Sequence, residues 1–425
     1  MTVNQSHPVG SPERPDTKEH RGLVVGAAGM MAAGFMTTFL SPLLAVSFAR
    51  EFGFGLGPAG LLVACGQGGV ALAAFGILPF LPRLDRRKVG IAGALITAGC
   101  LALTGFATGF GPVLALQIMA GLGAGLCYAC ANSALAYARF PERAFSIVTV
   151  TWMLVGAVML TLGPLLHDLW PKVGIYLGIA TAVLLCLVFI TRLPDVRDLP
   201  EDHLGAVQVE VASEIAPAAP GHNGPQGPVG PVLLLIGAIA LLQVGNAMIW
   251  TFAEPIGEQA GLSVQYTATF LGLSQLIGLV GAGITLAFGA KVPKMALIVP
   301  AGVTMGVGGL LVGTADSPAP FTAGFLAINI AFFCITPLPL ALAAELDTSS
   351  GRLVVVAGGV ALVAGAAAPA LGAFLAGAGG HWPRLGVTAL TMALLALPLL
   401  VIPVRAAKQR VLGTERVASC DQLKY

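Results

Sequence analysis

The sequence predicts an all-α, polytopic membrane protein with twelve transmembrane helices in two bundles of six. Three observations predict this fold. The chain is 56% hydrophobic and only 10% charged, with a mean hydropathy of +0.88, whereas soluble proteins are about 25% charged. Twelve apolar segments are each long enough to cross a bilayer, which takes about 20 residues. A long polar stretch divides these segments six and six.

The predicted spans follow one another closely along the chain. In the first half they are 22–49, 57–80, 89–109, 112–135, 146–168 and 172–191. In the second half they are 231–256, 263–288, 293–314, 318–345, 353–377 and 384–404. The domain order is therefore an amino-terminal tail (1–21), a first bundle (22–191), a linker (192–230), a second bundle (231–404) and a carboxyl-terminal tail (405–425). The first apolar run is longer than a signal-peptide core, so we expect it to remain as a span.

The distribution of basic residues predicts that both termini are cytoplasmic. With the amino terminus inside, Arg50, Lys172 and Arg384 face outward, and the other 19 of the 22 Lys and Arg residues face the cytoplasm. Positive charge is enriched in cytoplasmic loops. The linker begins with acidic residues and ends rich in Pro, Gly and Ala, which is typical of a disordered or partly helical connection. The expected location is a bacterial inner (plasma) membrane.

Composition and motifs also exclude several classes of function. The net charge of +2 offers no field that would recruit nucleic acid. No GxxxxGK[ST] loop occurs, so ATP is not the energy source, and no nucleophile–base–carboxylate grouping indicates an enzyme. Cys127 and Cys130 are one helical turn apart, but no His or carboxylate lies near them in sequence. They indicate helix packing rather than a metal site, so we expect neither a metal nor a cofactor.

The turn between the second and third spans carries the first motif of a known family. A similar basic turn precedes the ninth span, and parallel six-helix repeats joined by a long loop are a transporter architecture. The turn reads LPRLDRRKVG, and it resembles the turn of the major facilitator superfamily at Asp85, Arg86, Arg87 and Lys88. Leu81 stands where the family has Gly. The resemblance implies a gating role for these four residues, through charge pairing at the ends of neighbouring helices.

The fourth and fifth spans carry two further motifs. LQIMAGLGAG is similar to the family pattern of an Arg followed by a glycine-rich run, but Gln117 stands at the position of the Arg. In drug–proton antiporters that Arg is tied to proton coupling. In GAVMLTLGPLLHDLW, the Gly163–Pro164 pair resembles the antiporter motif and implies a second gating element. His167 and Asp168 replace the two glycines of that motif. The resemblance implies the superfamily fold with alternating access, and this half-match favours export.

The predicted membrane interior is almost free of charge. No Lys or Arg lies near the middle of a span, and intramembrane charges mark function because they are costly. A carrier of phosphates, dicarboxylates or nucleotides needs a cation, or the amino terminus of a helix, to replace the hydration of the anion. The sequence therefore favours neutral, weakly polar, aromatic or cationic solutes.

One polar stripe interrupts the seventh span. Gln243, Asn246, Trp250 and Glu254 follow at intervals of three, four and four, which places them on one helical face. We predict that the first three line the transport path, where Trp250 could stack on an aromatic or cationic solute. Other polar or aromatic residues in spans that line the path of the superfamily are predicted to join them. These are Thr38, Ser41, Trp152, Gln275 and Asn329; for a single one of them, a hydrogen bond between helices is the alternative.

Glu254 has two interpretations from the sequence. It lies near the outer mouth, so it is either a hydrated interfacial carboxylate or a proton carrier whose pKa is raised by burial when the mouth is closed. Pro255 favours a helix bend there. His167 and Asp168 are the other candidates for a titrating pair.

These observations predict a secondary active transporter of a small organic solute, most simply a proton-coupled exporter of neutral-to-cationic, apolar compounds. Import of a nutrient or an aromatic metabolite is the alternative within transport. An alternative of another class is a membrane sensor or assembly factor that has lost transport. The expected partners are the solute, protons and the lipid bilayer, with no nucleic acid, and the chain is expected to be a monomer.

Overall fold

The computed structural model describes residues 17–135, 141–194, 229–289, 291–346 and 352–422. Over these residues it contains fifteen α-helices and one short 3-10 helix, Leu81–Arg83, and no strand. The all-α prediction is therefore confirmed for the described part of the chain. Most of the amino-terminal tail and nearly all of the 192–230 linker lie outside the described residues.

The first half of the chain forms seven α-helices. They are α1 Thr17–Phe39, α2 Ser41–Arg50, α3 Leu56–Gly76, α4 Arg86–Thr104, α5 Phe110–Leu135, α6 Pro141–Leu169 and α7 Gly174–Ile190. The second half forms eight. They are α8 Val229–Thr251, α9 Ala253–Gln259, α10 Val264–Phe288, α11 Lys294–Gly313, α12 Pro318–Ile335, α13 Pro337–Leu346, α14 Arg352–Ala376 and α15 Trp382–Gln422.

The described residues include 11 candidate membrane spans that are long and apolar enough to cross a bilayer. The apolar helix α7, where the sequence predicts the sixth span, has 17 residues and is shorter than these. The chain is thus a multi-pass membrane protein. The last helix continues to Gln422, past the predicted end of the twelfth span at residue 404.

Three predicted spans are not continuous helices, and prolines explain each interruption. Proline lacks the N–H that bonds the carbonyl four residues earlier, and its ring clashes with that carbonyl. Pro42 accompanies the break at Leu40 between α1 and α2. Pro255 accompanies the break at Phe252, as expected. Pro337 begins α13 after the break at Thr336.

The two halves of the chain pack against each other along two helix pairs, α3 with α14 and α6 with α10. Glycines permit this approach. A Cβ built on Gly60 of α3 would lie 2.5 Å from the Cβ of Ala373 in α14, and one built on Gly272 of α10 would lie 2.9 Å from the Cα of Ala157 in α6. We call the end of the bundles with Arg50 and Glu258 the Arg50 face, and the opposite end the Asp85 face.

Candidate functional site

A cavity of about 370 Å³ lies between the two halves. Helices α1, α3, α5 and α6 of the first half and α8, α10, α12, α13 and α14 of the second supply its lining. The break at Thr336 helps to shape it, since Thr336 and Pro339 both line the cavity. Both bundles therefore meet around one central space, where relative motion of the bundles would change access.

Aromatic rings form a continuous wall from the first half of the cavity to the second. Phe35 stacks on Trp152 with ring centroids 4.5 Å apart, and its edge contacts Tyr128 at 5.2 Å. Phe39 contacts both Trp152 and Trp250 at 5.6 Å. These five residues all line the cavity. They offer ring faces and edges to an apolar or aromatic solute.

The polar part of the lining is uncharged. No Asp, Glu, Lys, Arg or His is among the described residues that line the cavity. The lining residues with amide or hydroxyl side chains are Thr38, Gln67, Tyr128, Gln243, Asn246, Gln275 and Thr336. The expected scarcity of interior charge is thus seen in the cavity itself.

Six of the eight residues predicted to line a transport path lie together here. They are Thr38, Trp152, Gln243, Asn246, Trp250 and Gln275. The other two lie outside the described lining. Ser41 is fully buried, and its hydroxyl has no hydrogen-bond partner. Asn329 donates from Nδ2 to the Ser274 hydroxyl at 3.0 Å and to the Phe325 carbonyl at 3.0 Å, which is the interhelical bonding that the sequence left open as an alternative.

Sequence reasoning missed two groups of lining residues. Gln67 is a large amide in the middle of the apolar run GLLVACGQGGV, so the search for polar residues at membrane depth could have found it. Tyr128, Phe35 and Phe39 carry no such signal, because aromatic residues in a membrane helix face lipid as readily as a cavity.

Contacts between the halves close the cavity toward the Arg50 face. Trp250 donates from Nε1 to the Phe39 carbonyl at 3.3 Å, next to the helix break at Leu40. Nearer the face, Arg50 donates to both carboxylate oxygens of Glu258, with an Nη1–Oε1 distance of 2.6 Å. This fork-like pairing is the strong geometry for an Arg–carboxylate contact. A second cavity of about 570 Å³, lined partly by these two charged residues, lies at the same face.

Glu254 lies in α9, beyond the span that ends at Thr251. It lines neither of these cavities in the described structure, and the helix break at Phe252 separates it from the stripe of Gln243, Asn246 and Trp250. Its side chain is buried, and Oε2 has no hydrogen-bond partner.

This environment raises the pKa of Glu254 to about 8. Burial, which disfavours the charged carboxylate, is the main cause, and the neighbouring Glu258 adds to it while Arg50 opposes it. The carboxyl is therefore buried rather than hydrated in this structure, and its role as a proton carrier stays a prediction.

His167 and Asp168 are not brought together as a buried pair. His167 Nε2 lies 3.6 Å from the Glu51 carboxylate, and its Nδ1 is buried without a hydrogen-bond partner. Asp168 is exposed at the Arg50 face.

The motif residues lie around the bundle rather than in the cavity. Asp85 caps α4 by accepting from the backbone N–H groups of Arg87 and Lys88 at 3.0 and 3.2 Å. Partial burial opposes ionisation of Asp85, but these bonds and the Lys88 ammonium at 3.3 Å lower its pKa below the usual value. Arg86 is buried, whereas Arg87 and Lys88 are exposed.

The antiporter-like positions also serve packing. Gly163 and Pro164 are buried in α6, where a Cβ on Gly163 would collide with Leu43. Gln117 is buried away from the cavity and donates to the Thr104 hydroxyl at 3.3 Å.

Comparisons with known proteins agree with this architecture. A family model described as Major Facilitator Superfamily matches residues 26–358. A crystal structure of the peptide transporter POT is similar, with 16% sequence identity and a TM-score of 0.68 over 91% of this chain and 95% of that one. A D-xylose-proton symporter is 15% identical, with a TM-score of 0.63 over 89% and 96% of the two chains.

A bacterial homologue of the human lysosomal transporter Spinster, in an inward-facing and unoccupied conformation, is also similar. It is 13% identical, with a TM-score of 0.60 over 94% of this chain and 98% of that one. At such identities the likeness shows the fold alone. None of the curated proteins matches the chain significantly.

Proposed function

The chain belongs to the major facilitator superfamily, and we propose that it exports a small, neutral-to-cationic, largely apolar compound in exchange for protons. The two bundles would rock about the central cavity and expose it to each side of the membrane in turn. One chain supplies both bundles and the whole described lining of the cavity, so a monomer suffices as the transporting unit. The partners that this mechanism needs are the solute, protons and the lipid bilayer.

The observation that carries the proposal is the uncharged, aromatic lining of the cavity. A strong organic anion would lose its hydration there without a cation to replace it. A neutral apolar compound loses little hydration on entry, and a cation gains attraction from the ring faces of Trp152 and Trp250. A volume of about 370 Å³ is within the range of pockets for small organic molecules.

The proposed orientation counts α7 as the sixth of twelve spans and places both termini in the cytoplasm of a bacterium. It follows from the excess of Lys and Arg in the loops on that side. The Arg50 face is then the outer face. In this orientation the Arg50–Glu258 and Trp250–Phe39 contacts shut the outward path, and the cavity belongs to the cytoplasmic side of the transport cycle.

Glu254 is the proposed proton carrier. Its burial beside the outer closure, its unpartnered Oε2 and its raised pKa favour a protonated carboxyl in this conformation. Opening of the outer face would hydrate the carboxyl and release the proton outward or admit one, depending on the gradient. His167 is the second candidate, because its Nε2 lies 3.6 Å from the Glu51 carboxylate at the same face.

The direction of transport rests on the half-match of Gly163–Pro164 to the antiporter motif. The first experiment is growth of cells with and without the overexpressed chain on a panel of toxic apolar, aromatic and cationic compounds. Resistance with lower accumulation of the compound supports export. Hypersensitivity with higher accumulation would indicate import instead of export. Unchanged growth of the cells, together with no solute flux in reconstituted liposomes, would favour the sensor or assembly factor.

The coupling test uses the compound found in that panel. In proteoliposomes, Glu254→Gln should abolish uphill transport driven by a pH gradient and leave solute counterflow largely intact. Asp316→Asn is the matched control, because it removes an exposed carboxylate that is not a candidate coupling residue. Gradient-driven transport that survives in Glu254→Gln would remove this residue from the coupling mechanism.

A further inference from the structure

Four carboxamide side chains of the central cavity are free to bind a solute. Gln67 comes from α3 of the first half, and Gln243, Asn246 and Gln275 come from α8 and α10 of the second. Within the part of the chain that the structure describes, none of these four amides has a hydrogen-bond partner in the protein. The indole N–H of Trp152 is unpartnered there as well, unlike that of Trp250, which bonds the Phe39 carbonyl.

Such a concentration of free amides departs from the rest of the bundle. Elsewhere the amides of Asn132, Gln117, Gln265 and Asn329 each donate to a neighbouring residue. Buried polar groups are usually hydrogen-bonded, and an unmade bond is costly. The four cavity amides therefore obtain their bonds from whatever occupies the cavity.

The chemistry of these groups limits the occupant. A carboxamide offers two N–H donors and one carbonyl acceptor, so amides from both halves match a solute that carries donors and acceptors on its rim. A hydrocarbon or a quaternary ammonium ion would leave the amides unpaired. A carboxylate would use the donors only, without a cation in the described lining to offset its charge.

The aromatic wall limits the shape of the occupant. The rings of Phe35, Trp152, Phe39 and Trp250 form one continuous series across the cavity, and flat rings pack on such surfaces by stacking or by edge contacts. Gly365 of α14 leaves room beside the Gln243 amide, because a Cβ there would lie 3.3 Å from the Gln243 amide nitrogen.

We propose that the cavity selects an uncharged, planar aromatic compound whose rim carries both hydrogen-bond donors and acceptors, as a carboxamide or a nitrogen heterocycle does. The proposal rests on the transport function proposed above and narrows its solute class. Gln243 and Asn246 determine specificity by pairing with the rim, and Trp152 determines it by packing on the ring.

The test measures binding of four ring-matched compounds to the purified chain in lipid nanodiscs by isothermal titration calorimetry at neutral pH. Naphthamide is planar and carries both a donor and an acceptor. Acetonaphthone lacks the donor, naphthoate is the anion, and decalincarboxamide keeps the amide on a saturated, non-planar ring. We expect naphthamide to bind at least about tenfold more tightly than each of the other three, because a site built to hydrogen-bond rejects analogues that leave it unpaired.

Variants assign the preference to residues. Gln243→Leu and Asn246→Leu should each weaken the binding of naphthamide by about tenfold, so that its affinity comes close to that of acetonaphthone. Gln117→Leu is the control, since that amide is buried outside the described lining and donates to the Thr104 hydroxyl. The affinity of this variant for naphthamide should match that of the wild type. Monodisperse elution of each variant shows that it has folded.

Two results would overturn the proposal. One is naphthoate or acetonaphthone binding as tightly as naphthamide, and the other is no binding of naphthamide at all. Flux of tritiated naphthamide in proteoliposomes tests the proposed transport function separately from the proposed solute class. Binding of naphthamide without flux would overturn the transport function and support the solute class. Flux of unrelated compounds without binding of naphthamide would support the transport function and overturn the solute class.

Discussion

Replacing Glu254 by Gln should remove a pH-dependent loss of stability from the protein. The carboxyl is 3% exposed with one oxygen unpartnered, and its pKa rises from an ordinary value of 4.5 to about 8. A raised carboxyl pKa means that the native state holds a proton that the denatured state has already released. Between these two pH values, the free energy of unfolding therefore falls as pH rises, and the full penalty is present above about pH 8.

The magnitude follows from the two pKa values. Their difference corresponds to about 5 kcal/mol at most, at about 1.4 kcal/mol for each pH unit. Glutamine keeps the shape of the protonated carboxyl and cannot ionise. We therefore expect Glu254→Gln to match the wild type near pH 5 and to be more stable near pH 9.

The assay is thermal unfolding in detergent micelles at several pH values between about 5 and 9. The melting temperature of the wild type should fall across this range, and that of Glu254→Gln should fall much less. Asp168→Asn, which changes an exposed carboxylate at the same face, should keep the slope of the wild type. An equal slope in Glu254→Gln and the wild type would refute the assignment of the buried proton to Glu254.

Three further changes test the packing between and within the halves. Gly60→Leu should block close packing of the halves and lower both melting temperature and solute flux, whereas Gly68→Leu, with open space at its Cβ, should do neither. Arg50→Gln should shift the population toward an open Arg50 face by no more than about fivefold, since exposed ion pairs contribute at most about 1 kcal/mol. Spin-label distances between the halves measure this shift. The double variant Arg50→Gln with Glu258→Gln should shift it little further than either single change. Asp85→Ala should lower the free energy of unfolding by about 1 kcal/mol because the helix cap is lost, and Asp85→Asn should keep most of the stability of the cap. Equal melting temperatures for these two variants would show that the cap contributes nothing.

Much of the cavity could be predicted from the sequence because a large polar residue stands out in the apolar sequence of a membrane helix. A Gln or Trp at membrane depth is costly against lipid, so the stripe of Gln243, Asn246 and Trp250 indicated a non-lipid surface, and all three line the cavity. The same reasoning gave the helix break near Pro255, since proline acts on the backbone of its own helix.

The remaining features depend on contacts between distant parts of the chain. Arg50 and Glu258 are 208 positions apart, and no local pattern indicates that two helix ends will meet. Asn329 looked like a cavity residue by the criterion that found Gln243, but a hydroxyl of the adjacent helix satisfies it. Sequence periodicity gives the face of a helix on which a side chain lies, and only the packing of the bundles decides what covers that face.

An uncharged cavity has a consequence for membrane voltage. Moving one elementary charge through 100 mV involves about 2.3 kcal/mol, and the described lining of the cavity holds no Asp, Glu, Lys, Arg or His. When the bundles reorient around a neutral solute, the cavity carries no charge through the electric field. This half of the cycle should run equally fast in polarised and depolarised membranes. In the proposed exchange for protons, the electrical part of the driving force would then act on the proton alone.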